Sequence, residues 1–179
     1  MMLWSDVHYA EQPLADARLT AYLEALRQIY ANGRVLLRCF QPTDTAAFHS
    51  ASHYGLRGLD HVLSAFLGAP TIQVYLSELH IPSPLKLPAY QCYSAYEMEG
   101  ALTVALLQGG AYHKFLGPED EARQLSREFV AAIGRDHTQV FKIEGAWTDW
   151  FYDIAWDLSF VILDAGHMRW WILCMTDTD

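Results

Sequence analysis

The sequence predicts an α+β fold class: a single domain with an antiparallel sheet, C-terminal strands dominant, packed against about three to four helices. Three observations carry this. Leu19, Tyr22, Leu23, Leu26, Ile29 and Tyr30 recur at helical spacing near the N-terminus. Ala122, Leu125, Phe129 and Ile133 form a second helical stripe between Pro118 and Gly134. Beyond Gly134 the chain switches to short β-branched and aromatic runs separated by turn residues.

The elements follow in order. Pro13 to Ala31 reads as an amphipathic helix stopped at Asn32-Gly33, and RVLLRCF (Arg34 to Phe40) as a strand ended by Gln41-Pro42. Thr43 to Gly68 is ambiguous in its first half, with Leu59, Val62, Leu63, Phe66 and Leu67 at helical spacing in its second. TIQVYLSEL (Thr71 to Leu79) alternates as a strand does, and IPSPLKLP after it is a proline-rich loop or edge. Ser94 to Gln108 favours a helix ending at Gly109-Gly110, although Gly100 and the preceding tyrosines leave a strand open. Pro118 suits a first helical turn, and Glu119, Asp120 and Glu121 lie where the helix dipole favours acids. Val140 to Ile143, Asp149 to Leu163 and Arg169 to Thr176 then read as antiparallel strands, the last two joined by a turn around Asp164 to His167. The helices are expected on one side of the sheet.

Composition narrows the class of function. With 179 residues, 52% hydrophobic and 18% charged, the chain has apolar surface enough for one folded domain over residues 1–179. Its longest aliphatic run, Ala101 to Leu107, is far below the roughly 18 residues that cross a bilayer. The N-terminus carries acids where a secretory signal carries bases, so the expected location is cytoplasmic. Cys39, Cys92 and Cys174 have no CxxC spacing, which fits reduced thiols. From Glu144 to Asp179, seven acids stand against Arg169 alone, within a net charge of −9. Such a segment repels nucleic acid and attracts a basic protein partner or cations.

That segment holds the main candidate residues. If Asp149 to Leu163 is one strand, Trp150, Tyr152, Ile154 and Trp156 face the core, and Asp149, Asp153 and Asp157 line the opposite face. Successive carboxylates then stand about 13 Å apart, too far to share a proton or flank one glycosidic bond. The ladder is either an acidic recognition stripe or a solvated sheet face. Trp170 and Trp171 point to opposite faces of an extended segment, so one of them needs cover from a helix, a second copy of the chain or a partner. The closing TDTD, with Asp177 and Asp179, either caps the sheet edge or forms an acidic rim around that tryptophan.

His49 and His53 are the candidate metal pair, sharing a face at i, i+4 if helical, with Asp44, Asp60 or His61 as a third ligand. Cys39 and Cys174 sit in apolar runs that favour inert thiols, no serine lies in a GxSxG elbow, and Gly109-Gly110 lacks the lysine of a phosphate loop. Tyr90, Tyr93 and Tyr96 either line a groove or pack a loop over the core. No motif implies a cofactor. The leading expectation is a non-enzymatic protein-binding module, such as an acidic inhibitor or immunity-type protein, engaging a basic partner through Asp149, Asp153, Asp157, Trp170, Trp171, Asp177 and Asp179. The alternatives are a small metal-dependent hydrolase using the histidine pair and a structural homo-oligomer, for example a homodimer covering a tryptophan.

Overall fold

The computed structural model describes residues 4–55 and 59–178, apart from the side chains of 52–60. Its strands are β1 (Tyr9–Gln12), β2 (Arg34–Pro42), β3 (Tyr90–Tyr93), β4 (Thr138–Glu144), β5 (Leu158–Asp164) and β6 (Arg169–Thr176). Its helices are α1 (Ala17–Ile29), α2 (Thr45–Gly55), α3 (Leu59–Leu67), α4 (Pro70–Tyr75), α5 (Ala95–Gln108) and α6 (Glu119–Ile133). Among the described residues the strands form one six-stranded sheet, β1-β2-β6-β5-β4-β3, with every neighbouring pair antiparallel. The fold is α+β, and C-terminal β5 and β6 lie at the centre of the sheet.

Helices cover both faces of that sheet, not one. On one face Phe40, Phe141, Val161, Trp170 and Ile172 pack with Phe48 of α2, Phe66 of α3 and Ile72 of α4. On the other, Leu37, Phe160, Ile162, Trp171 and Leu173 pack with Tyr22 of α1, Met98 of α5 and Phe129 of α6. The physical reason lies in the central strands: FVIL in β5 and WWILC in β6 are apolar at consecutive positions, so neither face tolerates water.

Thr71 to Leu79 is helical rather than a strand. Pro70 occupies the first turn of α4, and a short 3-10 turn follows over Ser77–Leu79. Ile72, Leu76 and Leu79 are fully buried at i, i+4 and i+7, so the helical period outweighs the apparent alternation. Two further helices carry clear end signals. Ser94 and Glu97 form a reciprocal capping box at the start of α5, Gly109 ends it at φ 76°, and three acids fill the first turn of α6. Gly33 has a separate role from a helix stop: a Cβ there would lie 1.9 Å from the Thr176 carbonyl oxygen, so only glycine lets α1 turn into β2 beside the end of β6.

Candidate functional site

Asp149 to Asp157 is not part of a strand. β4 ends at Glu144, β5 begins at Leu158, and the thirteen residues between form a loop of turns and bends. The loop folds inward at Trp147, Trp150 and Phe151, all buried, a spacing that extended backbone cannot satisfy on one face. The Trp147 indole N–H donates to the Ser159 hydroxyl at 3.0 Å. The Gly145 N–H donates to the Asp157 carbonyl at 3.0 Å, and Phe151 N–H and Asp157 N–H close turns on Thr148 and Ile154. Asp153 takes a left-handed backbone at φ 59°.

The expected ladder of three carboxylates is therefore corrected. Asp157 is buried: one of its oxygens accepts from the Thr176 hydroxyl at 2.5 Å, the other from the Ile154 N–H at 3.0 Å. Asp149 and Asp153 remain exposed, and neither forms an ion pair with a described residue. Tyr152, placed in the core by a strand reading, is 41% exposed between them. The Arg34 guanidinium lies 5.3 Å from its ring centre and 6.0 Å from that of Trp150, holding the tip of the loop to β2.

Trp170, Trp171 and Asp177, the remaining candidates among the described residues, are also inside. Trp170 stacks on Phe66 at 4.1 Å and meets Trp4 edge-on at 5.3 Å, while Trp171 lies in the opposite core with Arg169 over its ring at 5.2 Å. Both tryptophans are covered by this chain's own helices. Neither needs a second copy to cover it. Asp177 is buried and accepts from the Ala111 N–H at 2.7 Å, with its other oxygen unpartnered among the described residues, whereas Asp179 lies outside them. Burial, with Asp177 nearby, pushes the Tyr30 phenol up to about 12. Of the acid-rich C-terminal segment, Asp157, Asp164 and Asp177 thus serve the interior, and Glu144, Asp149 and Asp153 remain at the surface.

Two recesses flank the loop. One, of about 450 Å³, is lined by Asp149 and Asp153 together with His80, Lys86, Trp147 and Phe151. The other, of about 830 Å³, separates the loop from α5. Glu97, Gly100, Ala101 and Val104 of α5 form one wall, Lys142, Glu144 and Trp156 stand opposite, and Tyr30, Tyr93 and Asp157 also line it. The Lys142 ammonium sits 5.5 Å from the centre of the Tyr93 ring and pairs with Glu144. Hydrogen bonds from the backbone and side chain of Ser94 hold the Glu97 carboxyl below its usual range. The sequence signal for this wall was Ser94-x-x-Glu97, which marks a helix start but not a cleft. Of the three tyrosines of AYQCYSAY, Tyr93 lines the cleft, Tyr90 packs on the core and Tyr96 is exposed.

His49 and His53 do fall four residues apart in α2, with His49 exposed and the His53 side chain outside the described residues. Asp44 caps that helix by accepting from the Ala46 and Ala47 N–H groups, and His61 is exposed. Among the described residues, no three His, Cys, Asp or Glu side chains gather as a metal site. No protein-family model, curated protein or solved structure significantly matches the chain.

Proposed function

We propose that this chain is a non-enzymatic protein-binding module whose 145–157 loop engages a basic protein partner. The observation that carries this is the division of labour within the loop: Trp147, Trp150, Phe151 and Asp157 fasten it to the core, while Asp149, Tyr152 and Asp153 point outward. A loop already fastened to the core loses less conformational freedom on association, and a tyrosine between two carboxylates that form no ion pair with a described residue supplies an apolar anchor with complementary charge. In its most concrete form the partner is a cationic enzyme whose substrate site the loop occupies, as an inhibitor or immunity-type protein does.

The test is capture from lysate of the native host at low and moderate salt, comparing wild type with Asp149→Asn/Asp153→Asn. Asp157 stays unchanged because it holds the fold. The expected result is one identified basic protein retained by wild type, released by salt, and lost from the variant. Equal retention by both proteins would remove the loop from the binding surface.

A further inference from the structure

We infer that the smaller recess beside the loop holds the last residue of the partner's chain, an arginine or lysine that sets its side-chain cation against Asp149 and Asp153 and its terminal carboxylate against Lys86. The inference rests on reading the loop as the surface for a basic protein, and it names which part of that protein enters. The recess, of about 450 Å³, has walls from two separate segments of the chain. Asp149 and Asp153 stand on the loop, and His80 and Lys86 on the segment that precedes β3. All four residues are exposed, and none of their side chains forms an ion pair or hydrogen bond with a described residue. Elsewhere Arg38, Arg127, Arg135 and Lys142 each pair with an acid, so opposite charges that share a recess without pairing set this place apart.

Packing holds the two walls apart. Ile81, Leu85 and Leu87 fasten one of them to the same core that takes Trp147, Trp150 and Phe151 from the other, so neither closes on its neighbour without giving up buried contacts. A ligand that satisfies both signs therefore has to carry both. A purely cationic group meets Lys86 as a like charge, and a purely anionic one meets Asp149 and Asp153. Taken as a sphere, a recess of about 450 Å³ is about 10 Å across. In a C-terminal arginine the guanidinium and the carboxylate lie roughly 7 Å apart, with a methylene stem between them. That stem can cover Trp147 and Phe151, which line the recess from the core, while the charged ends reach the two walls. The His80 imidazole adds a ring N–H donor on the wall that carries Lys86. An internal arginine offers only the cation, so the recess distinguishes a chain end from the basic surface around it.

The probe is a synthetic N-acetylated hexapeptide of serine and alanine ending in arginine, titrated into the full chain at physiological salt and read by amide chemical shifts and calorimetry. One comparison peptide carries a C-terminal amide, which removes the anion. Another ends in citrulline, which removes the cation and keeps the shape. The expected result is saturable binding of the first peptide, with shifts at His80, Lys86 and residues 147–153, and a Kd at least tenfold higher for each of the other two. Lys86→Met should abolish the preference for the free carboxylate and keep the preference for arginine over citrulline; Asp149→Asn/Asp153→Asn should do the reverse. No saturable binding, equal affinity for the free acid and the amide, or a carboxylate preference that survives Lys86→Met would overturn the inference. It fails separately from the reading beneath it. Capture lost from Asp149→Asn/Asp153→Asn, with acid and amide peptides bound alike, leaves the loop as a surface for a basic protein and removes the chain end. Equal capture by both proteins, with the full peptide pattern, leaves the recess as a site for basic chain ends and removes the loop as the surface that retains the lysate protein.

Discussion

The Thr176 hydroxyl donates to the buried Asp157 carboxylate across 2.5 Å, and so joins the last strand to the end of the acidic loop. The next residues continue the fastening. Asp177 accepts from the Ala111 N–H, and the Thr178 hydroxyl reaches the Asn32 carbonyl at 3.5 Å. Thr176, Asp177 and Thr178, which follow WWILCM, therefore act as a latch, gathering the α1–β2 turn, the α5–α6 connection and the 145–157 loop around the end of β6. Thr176→Val keeps the volume but leaves a buried carboxylate oxygen without its donor, a loss of about 1.5–3 kcal/mol. Urea unfolding at pH 7 should show this as a lower midpoint with an unchanged slope.

Asp177 offers a finer test because one of its oxygens has no partner among the described residues. Asp177→Asn can keep the acceptor for Ala111 while removing the buried charge, so it should cost less than Asp177→Ala, which strands that N–H at about 1–3 kcal/mol. The same charge acts on Tyr30, whose phenol is raised to about 12 first by burial and then by Asp177. A folded-state value above the unfolded value of 10 gives stability that is complete below pH 10 and is lost as pH rises toward 12. Ultraviolet titration of Asp177→Asn should find Tyr30 ionising at lower pH than in wild type but still above 10, since burial remains.

The thiols divide by exposure. Burial pushes Cys39 and Cys174 up to about 12, whereas Cys92 is exposed. At pH 8 a thiol reagent should titrate one of the three cysteines in the native protein and all three in guanidinium. Both buried thiols have unfolded values near 9, so their contribution to stability is intact below pH 9 and declines as pH climbs toward 12. Cys39→Ser and Cys174→Ser should each flatten that decline, as followed by circular dichroism.

Where local pattern and burial agreed, the fold was legible in the sequence: α1, α3, α6, β2, β6 and the hairpin at Asp164 to His167 lie where periodicity and turn residues put them. The loop was not, because Trp150, Tyr152, Ile154 and Trp156 mimic a strand by alternating with acids, while the side chains that enter the core are Trp147, Trp150 and Phe151. Gly145, at φ 91°, was the available signal for a break after β4. The carboxylates misled for a related reason. Net charge counts Asp157, Asp164 and Asp177 equally with Asp149 and Asp153, but a buried acid held by hydrogen bonds contributes little to the surface a partner meets. The α5 cleft required tertiary structure, since its walls come from segments some fifty residues apart in the chain.

Asp164 and Arg169 supply the strongest test of the central hairpin. They face each other as the last pair of β5 and β6, and two guanidinium N–H groups of Arg169 reach one Asp164 oxygen at 2.9 and 3.2 Å. Arg169 also donates to the Ile133 carbonyl at the end of α6, so one side chain ties the sheet to that helix. The His167 backbone N–H and ring add donors to Asp164, which has no solvent exposure. Removing Arg169 leaves a buried carboxylate with too few partners, and Arg169→Ala should cost about 3–5 kcal/mol. Arg169→Met/Asp164→Leu replaces the pair with apolar side chains and should recover much of that loss in urea unfolding. If the double variant is no more stable than Arg169→Ala, the guanidinium contributes chiefly through its bond to Ile133 and its cover of Trp171, and the uncompensated charge is not the source of the loss.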